Sequence, residues 1–373
     1  IWVVSPECWR LNTNGLRCAG HPEWMIRPDP AVAECAGLTY VTDAEPGITR
    51  ERRKDGWVYR RPDGHVITDP RERARIDAIG VPRAWTDVWI SPIPDGHILA
   101  TGRDSRGRKQ YIYHPRWREL RDRTKFHRVG HFGRALPGVR RRIEHDMDLP
   151  GLPREKVLGA VLRLMDMTLI RIGNDECARQ NQHYGLTTLR HDHVRFDDPT
   201  TVMFEFRAKS GKEQRVRLSD PRLAEIVHAC HELPGQKLFA YIDDAGRVVH
   251  IGSADVNAYL RAIARAIFTA KDFRTWGGTV TAADALVHIG PARSPTDAKR
   301  KINKAIDAAA ERLNNTRAVC RKNYVDPRVP DAYLDGSLPG VVFRARKRPR
   351  LSRPESGVLL LAEERPLLEV SAS

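Results

Sequence analysis

The chain has no apolar run long enough to cross a membrane. Its longest candidate, Val358–Ala362, falls far short of the roughly 18 residues that a spanning helix needs. Cysteine is sparse and scattered: Cys8, Cys18, Cys35, Cys177, Cys230 and Cys320 form no CxxC pair and no regular spacing. That pattern excludes a disulfide framework and a cysteine-rich zinc site, and it fits a reducing cytosol. No GxxxxGK[ST] loop is present, because the stretch "SGKE" around Lys212 lacks both the upstream glycine and the hydroxyl residue of an ATP-binding P-loop. "HACHE" (His228–Glu232) is not HExxH, "RHDH" (Arg190–His193) reads as a strand-edge cluster, and "DMD" (Asp146–Asp148) stands too alone for a two-metal site. Nucleotide-driven and metal-assisted phosphate chemistry therefore both lack their usual residues.

Basic charge is what the chain has in excess. Sixty-three Lys and Arg against 47 Asp and Glu give a net charge of +16. Such a surplus points to a polyanionic partner, with nucleic acid ahead of an acidic membrane surface. With 41% hydrophobic and 29% charged residues the chain can still bury a core, and its 373 residues suit two ordinary domains.

Residues 1–35 show no clear periodicity and no signal-peptide pattern, and are expected to be a disordered or non-native extension. Residues 36–120 read as a β-rich domain. Pro62-Asp63-Gly64 and Pro94-Asp95-Gly96 supply turns between alternating apolar runs, and Tyr111-Ile112-Tyr113 reads as a further strand. The dense arginines of 116–142 suggest a basic helical connector, which opens a mainly helical domain over 121–340. Val157, Val161, Leu164 and Thr168 mark one helix in it, and Val256, Leu260, Ile263 and Ile267 a second, with Ser253 as N-cap. A third runs over 296–313, and Pro327 and Pro330 are expected to end further helix. Between the first two helices, Val202, Phe204 and Phe206 alternate toward a turn at Ser210-Gly211, which puts Lys209 at a hairpin tip. The run "RARKRPR" (344–350) makes 341–373 read as a solvated, disordered tail. The fold class expected is α+β: a small β-rich domain, then a larger helical domain holding a small three-stranded sheet.

Cleaving a phosphodiester without metal requires cations around the transition state, a nucleophile, and an acid for the leaving oxygen. Arginine suits the first role, because its planar fork donates two hydrogen bonds to phosphate and keeps its charge. A free phenol is ionised in only about one molecule in a thousand at pH 7, so a tyrosine nucleophile needs cations nearby. Arg171 before Gly173, Lys209 at its hairpin tip, Arg274 in "KDFRTWGG" and Tyr324 in "AVCRKNYVDPRV" lie at element ends where such groups can converge. Each has an ordinary reading as an exposed cation or half-buried ring, so composition alone reaches only a basic, DNA-binding chain.

Read in order, "TLIRIGNDECARQNQHYGLTTLR", "FEFRAKSGKEQRV", "KDFRTWGGTVTA" and "LNNTRAVCRKNYVDP" resemble the active-site blocks of type IB DNA topoisomerases of the small bacterial and poxvirus-like branch. Upstream, "AGLTYVTDAEPGI" and "TGRDSRGRKQYIYHPRW" resemble that family's N-terminal DNA-binding segment, so the likeness covers about residues 36–340. The resemblance implies an isomerase that relaxes supercoiled duplex DNA through a 3′-phosphotyrosyl intermediate, strand rotation and religation. Neither nucleotide, metal nor any other cofactor would be needed. Arg171 and Arg274 would contact the scissile phosphate, Lys209 would protonate the 5′-hydroxyl leaving group, and Tyr324 would attack. Asn315, nine residues before Tyr324, stands where viral and eukaryotic relatives carry histidine; its amide can donate a hydrogen bond but cannot titrate. Arg106, Lys109, Tyr111 and Tyr113 in the N-terminal segment, with Arg321 and Lys322 beside the tyrosine, would contact DNA. The chain would act as a cytoplasmic, nucleoid-associated monomer clamped around duplex DNA, with no membrane partner. A tyrosine recombinase is the enzyme alternative, but recombinases usually carry a histidine where this chain has Lys271, and their N-terminal domain is helical. A catalytically silent DNA-binding protein is the other alternative.

Overall fold

The computed structural model describes residues 30–53 and 56–366, so all but the last residues of the expected extension at 1–35 lie outside the described residues. The described chain divides between Phe126 and His127 into two compact units, and its class is α+β.

The first unit is built on a sheet. α1 (Pro30–Cys35) precedes β1 (Ile48–Arg53), β2 (Gly56–Arg60), α2 (Pro70–Ala78), β3 (Thr86–Ile90), β4 (Ile98–Arg103), β5 (Lys109–Tyr113) and α3 (Pro115–Thr124). The strands pair antiparallel in the order β2-β1-β3-β4-β5. Alternation along them buries Ile48, Tyr59, Val88, Ile90 and Ala100 together with Ile76 of α2. α2 is a helix that the reading of this stretch as mostly β did not include. It starts because the Asp69 carboxylate accepts the Arg71 N–H at 3.1 Å and Pro70 occupies the first turn. The first unit also runs on to Phe126, past the boundary expected at 120, and Trp117 and Leu120 of α3 bury against Ala33 and Leu38 within it.

The second unit begins with α4 (His127–Met147), α5 (Arg154–Thr168) and α6 (Asp175–Asn181). β6 (Val194–Asp198), β7 (Thr201–Arg207) and β8 (Glu213–Ser219) then form an antiparallel three-stranded sheet in sequence order. After α7 (Pro221–His231) comes a short ribbon of β9 (Ala240–Ile242) and β10 (Val248–His250). The rest is helical: α8 (Ser253–Ala264), α9 (Ala270–Ile289), α10 (Pro295–Arg312), α11 (Arg317–Asn323), α12 (Arg328–Leu334), α13 (Leu338–Arg344) and α14 (Arg353–Glu364). The stripe of Val157, Val161 and Leu164 is buried, as its spacing requires.

Three expectations need correction. The N-cap of α8 is Gly252, one residue before Ser253, because the Asp255 carboxylate accepts the Gly252 N–H at 2.9 Å. Pro327 and Pro330 do not end a helix: Pro327 caps α12 and Pro330 lies in its first turn, where a missing N–H costs nothing. Most consequentially, the part of the 341–373 tail that is described, through residue 366, is folded and not disordered. Val358, Leu359 and Leu361 are buried, and α14 opens with a capping box in which Ser352 N–H donates to Glu355 at 2.7 Å. Three arginines of "RARKRPR" are tied down by acids: Arg344 pairs with Glu364, Arg348 with Glu363 at 3.0 Å and Arg350 with Glu144 at 2.8 Å. A charge run alone hid an apolar helix directly after it.

If α14 is core, Leu359→Ala, at a fully buried position, lowers unfolding free energy by about 2–5 kcal/mol. Urea denaturation measures this; an unchanged midpoint would mean that α14 is a dispensable tail.

Candidate active site

Four of the five residues singled out from the sequence converge in the second unit. Arg171 follows α5, whose helix stops at Leu169 in the left-handed region at φ 56°. The strand-like segment after it is pinned by backbone bonds, Leu186 N–H to Arg171 O at 2.9 Å and Thr187 N–H to Ile172 O at 2.7 Å. This close approach needs glycine: a Cβ on Gly185 would meet Arg171 O at 2.5 Å.

Arg274 lies not between helices, as its sequence context suggested, but within α9 itself. It is 4% exposed. One guanidinium nitrogen donates to Leu169 O, and Nη2 donates to Leu313 O at 2.9 Å. Both carbonyls lie at helix C-termini, after α5 and after α10, where the partial negative charge of the helix favours a cation. The guanidinium carbon stands 5.2 Å from the centre of the Tyr324 ring, within cation–π range. Burial, then repulsion from Arg171, lowers the Arg274 pKa to about 10, which still leaves it charged at neutral pH. Burial also lowers the pKa of Arg171, against the opposing influence of Tyr324 and Cys320.

Asn315 sits just beyond the end of α10, held by its N–H to Ala310 O at 2.8 Å. Its Oδ1 accepts from Arg171 Nη2 at 2.6 Å. Tyr324 ends α11, its N–H donating to Cys320 O at 2.9 Å and its carbonyl accepting from Thr279 Oγ1 at 3.2 Å. Direct contacts thus join Arg171 to Asn315 and Arg274 to Tyr324, and the two pairs are close enough for Arg171 to repel Arg274. Two buried donors in this group, Arg274 Nε and Asn315 Nδ2, have no acceptor among the described residues. A buried unpaired donor costs about 1–3 kcal/mol, so each of the two calls for an explanation. An oxyanion is the kind of acceptor that each of them lacks.

Lys209 is not part of this cluster. It lies exposed on the tip between β7 and β8, in the turn Lys209–Gly211, and makes no contact with the other four among the described residues. Arg321 and Lys322 are exposed on α11, with Arg321 Nη2 donating to Asn303 Oδ1 at 2.6 Å. In the first unit, Lys109, Tyr111 and Tyr113 share one face of β5 by strand alternation. The two tyrosine rings stack at 5.8 Å, and Lys109 pairs with Asp43 at 2.5 Å. Arg106 lies exposed in the β4–β5 turn, its N–H donating to Asp104 at 2.9 Å.

Several supporting residues escaped the sequence reading. α9 passes so close to the tyrosine that a Cβ on Gly278 would meet Tyr324 O at 2.8 Å. Thr279 Oγ1 also accepts the Asp326 N–H at 3.1 Å. Trp276 Nε1 donates to Glu355 at 3.1 Å, bringing α14 against the helix that carries Arg274. The Gly-Gly pair inside a helical stretch was the available signal, since glycine there is retained only where two backbones crowd.

The site sets one tyrosine among arginines, and the comparisons with known proteins give the family that this arrangement belongs to. Residues 114–330 match the family described as eukaryotic DNA topoisomerase I, catalytic core. Residues 56–104 match bacterial DNA topoisomerase IB, N-terminal domain. The chain is 30% identical over 286 residues to DNA topoisomerase 1B of Acanthamoeba polyphaga mimivirus, covering 75% of this chain and 85% of the viral protein. It is 22% identical over 228 residues to DNA topoisomerase 1 of Schizosaccharomyces pombe, covering 61% of this chain but only 26% of the yeast protein. The chain belongs to the type IB DNA topoisomerase family. No helix among the described residues is long and apolar enough to cross a membrane.

Replacing glycine by alanine in a helix normally stabilises it by about 1 kcal/mol. At Gly278 the sign reverses: Gly278→Ala destabilises by about 1–3 kcal/mol, because the methyl must displace the Tyr324 backbone. Urea denaturation gives the sign, and a gain in stability would contradict the packing described.

Proposed function

We propose that the chain relaxes supercoiled duplex DNA by reversible transesterification at Tyr324. The observation that carries this reading is the pair of buried, partnerless donors, Arg274 Nε and Asn315 Nδ2, in the cluster that includes the tyrosine. They are suited to nonbridging oxygens of a phosphodiester, whose negative charge grows as the transition state forms.

In the forward step Tyr324 Oη attacks phosphorus. The Oη–P bond forms as the P–O5′ bond breaks, and the phenolic proton passes to solvent. Arg171 and Arg274 offset the added charge on the phosphoryl oxygens, and Asn315 donates to one of them. Lys209 gives its proton to the departing O5′. Because Lys209 stands on an exposed hairpin apart from the cluster, this role requires the tip to close on bound DNA. The free 5′-hydroxyl end then swivels, and its oxygen attacks phosphorus in turn, breaking the Oη–P bond and resealing the strand. One phosphate ester is exchanged for another in each direction, so the cycle needs neither nucleotide nor metal.

The basic surplus supplies the affinity. Arg106, Lys109, Tyr111 and Tyr113 of the first unit and Arg321 and Lys322 of α11 contact the duplex, and the chain acts as a monomer clamped on DNA in the nucleoid. Each phosphate neutralised releases counterions, so binding weakens steeply with salt.

Tyr324→Phe removes one hydroxyl. It abolishes plasmid relaxation and covalent trapping, while the duplex dissociation constant changes by less than about threefold. Wild-type protein relaxes plasmid in EDTA without ATP. Relaxation by the phenylalanine variant, or a strict magnesium or ATP requirement, would overturn the reading.

A further inference from the structure

The matched catalytic core ends at residue 330, yet the structure continues the site's supports into the helix beyond it. Asp326 and Arg328, 2% and 6% exposed, form a buried ion pair two residues past Tyr324. Arg328 Nε donates to Asp326 Oδ1 at 2.9 Å and Nη2 donates to Oδ2. The same guanidinium reaches α14, where Nη1 donates to Ala362 O and Arg365 O, each at 3.2 Å. These are carbonyls at the C-terminal end of α14, which lack partners within the helix and attract a cation.

On its other side the pair is tied to the tyrosine. Asp326 N–H donates to Thr279 Oγ1 at 3.1 Å, and Thr279 Oγ1 donates to Tyr324 O at 3.2 Å or to Thr275 O at 2.8 Å. With the Thr279 proton turned to Tyr324 O, hydrogen bonds run from the end of α14 through Arg328, Asp326 and Thr279 to the backbone of Tyr324. The other end of α14 holds α9: Glu355 accepts from Trp276 Nε1 at 3.1 Å and from Arg140 Nη2 at 2.7 Å. Trp276 lies two residues after Arg274.

We infer that α14 is a positioning element for the active site, and that Arg328, Asp326 and Thr279 are positioning residues that hold Tyr324 in line with the phosphate. The inference rests on Tyr324 being the nucleophile. It assigns a catalytic purpose to a segment that carries no reacting group. An in-line displacement tolerates little error in the attacking oxygen, so loosening this set of bonds slows attack without weakening DNA binding. Arg328 suits the role because its fork satisfies a carboxylate and two carbonyls at once, which a lysine cannot do.

The test uses the full chain and a nicked duplex whose short 5′-hydroxyl fragment dissociates after cleavage, so that covalent complex accumulates in a single turnover. Thr279→Val keeps the side-chain volume and removes the bridging hydroxyl; Arg328→Lys keeps the charge and removes the fork. Each slows covalent complex formation by about 10- to 100-fold at saturating duplex. Duplex affinity, measured in a Tyr324→Phe background, stays within about twofold. The double variant is slower than either alone by less than the product of the two effects, because both act through one set of bonds. Val227→Ala is the control, since Val227 is fully buried on α7, outside α14 and outside the network: it lowers the melting temperature and leaves the cleavage rate unchanged at 25 °C. Wild-type rates in folded Thr279→Val and Arg328→Lys would overturn the inference, and so would equal slowing in Val227→Ala. If the wild-type chain itself forms no covalent complex, it is the nucleophile assignment that fails.

Discussion

The Arg274 guanidinium organises the second unit. A charge buried this deeply is costly unless hydrogen-bonded and compensated. Among the described residues no carboxylate pairs with it. Its partners are instead two carbonyls, at Leu169 and Leu313, at the C-termini of different helices. Holding both draws the end of α5, and with it Arg171, toward the end of α10, and with it Asn315. Helix-end carbonyls solvate the cation without neutralising it, so the positive charge remains available to an anion. Arg171 nearby makes the uncomplexed site self-repelling, and this repulsion contributes to the lowered pKa of Arg274. Local strain of this kind is stored where a ligand relieves it.

Behind that cluster lies a second, fully paired set of charges. Arg140 bridges Asp166 of α5, at 2.7 Å, and Glu355 of α14, also at 2.7 Å. Burial would lower the Arg140 pKa, but the two carboxylates outweigh it and hold the pKa above its ordinary value. Burial likewise opposes ionisation of Glu355, and Arg140 reverses the sign. The contrast divides the labour: compensated charges fix the scaffold, and uncompensated ones face the reaction. The Asp326–Arg328 pair belongs to the scaffold and reaches the nucleophile only through backbone.

Much of this was legible from residues alone. Period-two alternation located β7 and β8, 3.6-residue spacing located α5 and α10, and the turn residues placed Lys209 on a hairpin tip. Motif resemblance singled out the residues that the fold brings together, Arg171, Arg274, Asn315 and Tyr324. What stayed hidden depends on contacts distant in sequence. Asp69-Pro70 opened an unexpected helix in a strand-like stretch. The arginines at 344–350 looked solvated because their partners, Glu144 and Glu363, lie elsewhere in the chain. Trp276 was not singled out, because only the fold puts Glu355 beside it. Pro327 and Pro330 looked like helix breakers, although the same φ preference that stops a helix also starts one. Lys209 was correctly placed on its tip, but a pattern of residues cannot show its separation from the cluster.

The most direct measurement is the chemical identity of the protein–DNA bond. Covalent complex trapped on duplex DNA, digested with protease and nuclease and read by tandem mass spectrometry, should yield a peptide from around Tyr324 carrying a nucleotide through its 3′-phosphate on the tyrosine oxygen. Attachment at any other residue, or through a 5′-phosphate, would contradict the assignment of Tyr324 as the reversible nucleophile.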